Sequence, residues 1–306
     1  MSIKNINNFP KIGYSVLNNL FDTNEIKIFK KNLKSIMPNL SKVFYKSKKS
    51  FYKNTRFKKI TPGVYDHNIL LDNKINLDFI EKNKKFNKLI KKLFKSDYFI
   101  EEKWLLRNTP TNFFPLWLKK EIKDIGMPQL NMYVQEKYRN ISYIYGLDYH
   151  QDNGGRKRDS ITIIIYLDDV LKLSDTPIRI LPKTHMLGAT QYPHYCRPSS
   201  DKKRIIYSDF LGNHITTEDI KIFGKSGCSI IFNGYVLHGS EPSKSSDKDR
   251  LALRYVLSPK KVIRSSPYQK SYEKIISRSF YEQDYRLDKY SNGYNKKCGK
   301  VLNYVK

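Results

Sequence analysis

The sequence predicts a mainly β protein with flanking helices, its core an antiparallel jelly roll or a related barrel. Three observations carry this prediction. From Pro128 onward, short segments rich in β-branched and aromatic residues alternate with turn residues. Ahead of them the apolar period is helical. No internal repeat or low-complexity linker divides the 306 residues, so a single domain is expected, with helices at both ends buttressing one β-core.

In chain order, the first expected element is a helix over Thr23–Met37. It opens on cap-type residues and places Ile26, Phe29, Leu33 and Ile36 on one face. A second helix, Lys84–Lys95, sets Phe86, Leu89, Ile90, Leu93 and Phe94 against six lysines. Basic amphipathic helices of this kind sometimes lie on membranes, but docking on a β-core is the commoner use and is the expectation. The expected strands are Gln129–Lys137, Ser142–His150, Ser160–Leu167, Pro177–Leu181, Arg204–Phe210, Cys228–Phe232 and Leu251–Leu257. Beyond Pro259 the chain turns polar and basic, with one further helix expected near Ser271–Tyr285. The expected organisation is a helix-rich region over 1–127, a β-core over 128–260 and a basic extension over 261–306.

Composition narrows the function classes. With 23 Tyr, 16 Phe and a hydrophobic fraction of 39%, the chain reads as globular rather than disordered. Cys196, Cys228 and Cys298 are odd in number, far apart and in no C-x-x-C pair, which argues against a disulfide framework or zinc knuckle and for a reducing compartment. The N-terminal segment lacks an apolar run of signal-peptide type, and no stretch approaches the ~20 apolar residues of a membrane span. The expectation is therefore cytoplasmic. Lys plus Arg total 57 against 29 acidic residues, a net charge of +28. A nucleic-acid partner is one reading of that excess. The excess is dispersed and travels with many Asn, Ile and Tyr, so a solvated surface is the favoured one, with Lys42–Lys59 and Lys260–Lys306 as the densest segments.

The chemistry concentrates in two places. Tyr149-His150-Gln151-Asp152 ends one expected strand, and His238 follows another, 86 positions after Asp152. Two imidazoles and one carboxylate occupy one face of an octahedral iron(II) and leave three positions open. In extended chain, residues two apart point the same way, so His150 and Asp152 reach one metal while Gln151 faces away. The distal histidine must come from another strand. Twelve positions beyond His238, Arg250 opens the strand Leu251–Leu257, where a guanidinium is suited to a carboxylate as a bidentate partner.

The stretch YHQD…RDSITIIIYLDDV…TPIRILPKTHMLG…GKSGCSIIFNGYVLHGSEPSKSSDKDRLALRYVLSP resembles the phytanoyl-CoA dioxygenase family of Fe(II)- and 2-oxoglutarate-dependent oxygenases. That family shows a His-Gln-Asp after one strand, a Gly-Ser-His-like segment, a Gly-Asp-x-x-x-F strand leading to a distal His-Gly-Ser, and an Arg about eleven residues later. The resemblance covers roughly residues 129–260. It implies a cupin-like double-stranded β-helix, iron on His150, Asp152 and His238, 2-oxoglutarate anchored by Arg250, and hydroxylation of a small-molecule substrate with release of succinate and CO2. Related halogenases replace the carboxylate with a small residue, so Asp152 favours hydroxylation.

The departures from the family pattern leave every implied ligand in place. Lys183-Thr184-His185 stands for Gly-Ser-His, and Gly227-Cys228 for Gly-Asp. Arg250 is one position late, and Arg254, on the same strand face, is the alternative anchor. Asn131 stands where relatives often place a polar residue near the co-substrate. His185 is expected to support the site without binding metal. His67, His194 and His214 have no spacing partner and read as ordinary polar residues, and Tyr133, Tyr143 and Tyr149 as core or rim packing. A nucleic-acid-directed oxygenase and a catalytically inactive binding barrel are the alternative functions.

Overall fold

A strand buried on both faces reads as an unbroken apolar run, and ITIIIY is such a run. The computed structural model describes residues 3–37, 39–53, 75–125, 135, 143–144, 149–152, 160–188, 195–208, 213–241, 249–263 and 265–268. In chain order the strands are β1 (Tyr14–Leu17), β2 (Tyr98–Asn108), β3 (Tyr143–Ile144), β4 (Ile161–Tyr166), β5 (Ile178–Leu181), β6 (Tyr195–Pro198), β7 (Ile205–Ser208), β8 (His214–Thr217), β9 (Ile220–Ile222), β10 (Ser229–Asn233), β11 (Leu237–Ser240) and β12 (Arg250–Pro259). The longer helices are α1 (Thr23–Ile36), α2 (Lys84–Phe94) and α3 (Leu116–Ile125). The protein is mainly β. One large sheet runs β1-β10-β4-β12-β2-β3, antiparallel except for the β2–β3 pair, and two smaller antiparallel sheets run β11-β5-β9 and β6-β7-β8.

The run in β4 follows from what covers each face of the large sheet. Ile161, Ile163 and Ile165 point to a layer shared with Leu251, Leu253, Tyr255 and Leu257 of β12 and with helices α1 and α2. Ile164 and Tyr166 point the other way, into a layer shared with Ala252 of β12 and with Ile178, Ile180 and Ile222 of the smaller β11-β5-β9 sheet. The period of two is intact; both phases are apolar because both faces are covered.

Helix α2 docks as expected. Asn83 caps its start by accepting from the Phe86 amide at 3.0 Å, and Phe86, Leu89, Ile90, Leu93 and Phe94 are all buried. At about 1.5–3 kcal/mol per large apolar side chain, those five contribute on the order of 10 kcal/mol against exposure. Helix α1 buries Ile26, Phe29 and Leu33 in the same layer. Ile36, expected on that face, is 49% exposed, because the helix ends there and Met37 turns to extended backbone.

The β-core is not confined to 128–260. The region read as helix-rich supplies β1 and the eleven-residue β2, and β2 pairs along its length with β12. Strands β4, β5, β7, β10 and β12 fall on expected segments. Of Ser142–His150, β3 and the last two residues are described, while most of Gln129–Lys137 and all of Ser271–Tyr285 lie outside the described residues. No helix among the described residues is long and apolar enough to cross a membrane.

Candidate metal centre

The two histidines meet through the backbone. His150 N donates to His238 O at 3.0 Å, and His238 N donates to His150 O at 3.1 Å, an isolated antiparallel bridge. Residues that exchange both bonds stand directly opposite, with side chains on one face. Their ring centroids are 4.2 Å apart. Asp152, two residues on, projects to the same side, its Oδ1 3.8 Å from His150 Nε2 and its Oδ2 3.7 Å from His238 Nε2. Gln151 faces away, as the alternation requires. Its amide nitrogen donates to Gly188 O and Tyr235 O, each at 2.8 Å, and so pins the segment from behind.

Register settles which way β11 presents its residues. His238 and Ser240 stand opposite Ile180 and Ile178, whose side chains enter the layer between the sheets. His238 Nδ1 lies 3.1 Å from Val236 O. That carbonyl takes an N–H, so the proton sits on Nδ1 and Nε2 turns its lone pair toward Asp152. Burial lowers the His238 pKa, against the opposing effects of the Asp152 charge and the Val236 carbonyl, and keeps the ring neutral.

Asp152 is held ionised. Burial alone would raise its pKa, but Arg254, then His238 and His150, together outweigh that and hold the carboxyl well below the usual carboxylate range. Arg254 Nη2 lies 2.9 Å from Oδ1 and Nε 3.2 Å from Oδ2. Thr162, on the interior face of β4, donates to Oδ2 at 2.5 Å. Arg254 Nη1 pairs with Glu102 Oε2 at 3.0 Å, and Trp104 Nε1 donates to the same oxygen at 3.1 Å.

Arg250 is placed differently. It is 4% exposed, and no carboxylate among the described residues pairs with it. Nε reaches Thr176 Oγ1 at 3.3 Å, Nη2 reaches Ser240 Oγ at 3.2 Å, and the guanidinium lies over the Tyr166 ring at 5.4 Å. Nη1 is buried with no hydrogen-bond partner among the described residues. Burial lowers the pKa of Arg250, and only the Tyr166 hydroxyl opposes it. The two arginines are four residues apart on one strand, yet one is neutralised twice and the other not at all. Both line a small cavity together with His238, Ser240, Asn108, Leu106, Ile164 and Ile178.

The donor set fits a metal ion. One ligand atom from each of His150, Asp152 and His238 lies within 4.8 Å of the other two. Adjacent donors sharing an ion at ~2.1 Å stand about 3 Å apart, so the observed 3.7–3.8 Å contacts need only a small closure. Two imidazoles and one carboxylate, with His238 at the wall of the cavity, form a donor set that suits non-haem iron(II).

The remaining sequence candidates separate cleanly. His185 is fully buried, its Nε2 3.4 Å from Pro10 O, outside the metal cluster. Gly13 packs against it with φ +85°, and a Cβ there would come 2.4 Å from His185 Nδ1, so this contact excludes any side chain. Tyr149 is core, under the Arg179 guanidinium, and His214 is exposed on β8. Asn131, His67, His194, Tyr133 and Cys298 lie outside the described residues, and of Tyr143 only the backbone is described. The sequence reading missed Thr162, Glu102, Ser240, Thr176 and Tyr166, polar residues inside strands and loops whose roles appear only once the register is known.

His185 also sets a pH dependence. Burial pushes its imidazole from 6.5 down to about 4, with the Pro10 carbonyl opposing. The unfolded chain therefore takes up this proton before the folded one does. Stability from this group is present above pH 6.5 and is lost as pH falls toward about 4, a loss on the order of 3 kcal/mol. Urea melts through that window are expected to show the decline, and His185→Gln to flatten it; an unchanged slope in the variant would contradict this.

No family model matches the sequence, and no curated protein matches it. The fold does match solved structures. One is the non-heme alpha ketoglutarate dependent epimerase SnoN from nogalamycin biosynthesis, at 12% identity over 84% of this chain and 82% of that one, with a TM-score of 0.51. Another is SnoN in complex with Fe3+, alpha ketoglutarate and nogalamycin RO, at 12% identity, the same coverages and a TM-score of 0.50. The architecture thus agrees with the resemblance read from the sequence: this chain shares its fold with SnoN.

Proposed function

We propose that this chain is an Fe(II)- and 2-oxoglutarate-dependent oxygenase that hydroxylates a small-molecule substrate, with His150, Asp152 and His238 holding the metal and Arg250 anchoring the co-substrate. The observation that carries the reading is the spacing of the triad and the uncompensated arginine along one cavity wall. His238 belongs to the metal cluster and Ser240 holds Arg250, and the two are separated by one residue on the same face of β11. Two residues of extended strand span about 6.8 Å, a length suited to a five-carbon diacid with one end on the metal and the other on the guanidinium. SnoN, whose fold is shared, was solved with Fe3+ and alpha ketoglutarate. In this reading the large sheet and the β11-β5-β9 sheet are the two halves of a double-stranded β-helix.

Iron(II) with 2-oxoglutarate supplies dioxygen activation coupled to decarboxylation, giving succinate and CO2. The protein supplies the geometry. Val236 O fixes the His238 tautomer, so Nε2 is the ligand atom. Arg254 and Thr162 hold Asp152 ionised and oriented. Arg250 receives the distal carboxylate through a guanidinium already immobilised by Thr176, Ser240 and Tyr166, so little side-chain entropy is lost on binding. Leu106, Ile164 and Ile178 keep the cavity wall apolar, which strengthens that ion pair. Because Arg254 already serves Asp152 and Glu102, Arg250 is the guanidinium with a donor to give. Asn131 remains a further candidate for co-substrate contact.

A small molecule suits the site better than a polyanion. Among the described residues no lysine lines the cavity, and the exposed lysines of α2 lie on the helical layer, across the large sheet from it. The test is succinate release from 2-oxoglutarate, screened across a metabolite library and a set of oligonucleotides. Turnover with a small molecule and a product heavier by one oxygen is expected. Turnover on oligonucleotides alone, or a product of unchanged mass, would overturn the substrate class or the hydroxylation respectively.

A further inference from the structure

Arg250 does not face the cavity alone. In the β12–β2 pair Arg250 stands directly opposite Asn108, so both side chains leave the same face of the sheet and enter the same cavity. Asn108 is 4% exposed, as Arg250 is. Its side-chain amide nitrogen, like Arg250 Nη1, is buried with no hydrogen-bond partner among the described residues. A buried donor left unsatisfied costs about 1–3 kcal/mol, and two facing each other across one strand pair are unusual for a folded interior. Neither can satisfy the other, because both atoms are donors. One acceptor group placed between them satisfies both.

We infer that Asn108 is a second anchor for the co-substrate, donating from its amide to the carboxylate that Arg250 binds. This rests on the reading of the cavity as a 2-oxoglutarate site and sharpens it. A carboxylate offers about four lone-pair positions. Arg250 Nη1 takes one, and Asn108 Nδ2, arriving from the neighbouring strand, takes another. The pair recognises a planar, anionic end group. A methyl in its place would leave both donors buried and unpaired. Asn108 is therefore a positioning residue that selects a 2-oxo diacid over a 2-oxo monoacid of the same length. It has no part in holding the metal.

The test is calorimetric titration of 2-oxoglutarate, and separately of 2-oxopentanoate, into the Zn(II)-loaded full chain, which binds without turnover. Asn108→Leu keeps the volume and removes the donor. It is expected to weaken 2-oxoglutarate binding about tenfold, the loss typical of one hydrogen bond to a charged group, while leaving 2-oxopentanoate and Zn(II) affinities unchanged. Asn108→Asp places a carboxylate against Arg250, and its expected loss for 2-oxoglutarate is at least as large. Equal losses for the two keto acids would make Asn108 merely structural, and unchanged 2-oxoglutarate affinity in both variants would remove it from the site. If Asn108→Leu does not fold, Asn108→Ala, which removes the donor without adding charge, decides the same question in the same two titrations. A wild-type chain that binds Zn(II) but no 2-oxoglutarate would overturn the co-substrate reading itself, and Asn108's role with it.

Discussion

Asp152→Ala is expected to abolish turnover, with a loss on the order of 10³-fold or more, equivalent to about 4 kcal/mol of barrier. The side chain is the sole carboxylate of the cluster, and without it two imidazoles remain to hold a divalent ion. The fold should survive, because Asp152 belongs to none of the apolar layers. Stability should still fall modestly. Arg254 would keep Glu102 but lose the carboxylate that meets its Nη2 and Nε, which costs about 1–3 kcal/mol and lowers the melting temperature by several degrees. The pH dependence of the wild type carries the same signature. A carboxyl held below its ordinary range contributes stability that is fully present above the unfolded carboxylate pKa and is lost progressively as pH falls from there toward the depressed folded value. Succinate release and a thermal melt on the same preparation check both halves. Retained turnover would remove Asp152 from the metal.

The second large effect belongs to Arg250. Arg250→Lys keeps the charge but removes the planar fork and shortens the donor's reach. The expected result is a 2-oxoglutarate constant raised about tenfold to a hundredfold, with iron(II) affinity unchanged. Arg254→Lys should show the opposite split. Arg254 is spent on Asp152 and Glu102, so disturbing it should weaken metal binding and leave the co-substrate constant less affected. If Arg254→Lys alone raised the 2-oxoglutarate constant, the anchor would move to Arg254. If neither variant changed it, an iron oxygenase with another electron source would become the better account.

The sequence made the meeting of His150, Asp152 and His238 legible because its logic is local. His150 and Asp152 share a side by the period of two, and Gln151 must face away, as its bonds to Gly188 and Tyr235 bear out. The helices were legible because Phe86 through Phe94 repeat at helical spacing over a full face. β2 was not. Its sequence YFIEEKWLLRN places Glu101, Glu102 and Lys103 in the middle, and that run hides the alternation that pairing with β12 and β3 later explains. β11 escaped for a related reason: Leu-His-Gly-Ser carries one apolar residue, and it is a strand because it pairs with β5. The division of labour between Arg250 and Arg254 was invisible as well. Both share a strand face, and what separates them is Asp152 and Glu102, brought from 102 and 152 positions away along the chain. Cross-strand partners decide such roles, and one-dimensional spacing does not contain them.

The most direct measurement is anaerobic calorimetric titration of 2-oxoglutarate into the iron(II)-loaded chain, beside the metal-free chain and Asp152→Ala. Uptake of one 2-oxoglutarate per chain that requires iron(II), weakens in Arg250→Lys and vanishes in Asp152→Ala is the result expected from a cavity lined both by His238 of the triad and by an uncompensated guanidinium. A chain that takes up no iron(II), or that loads iron(II) and then binds no 2-oxoglutarate, would contradict it.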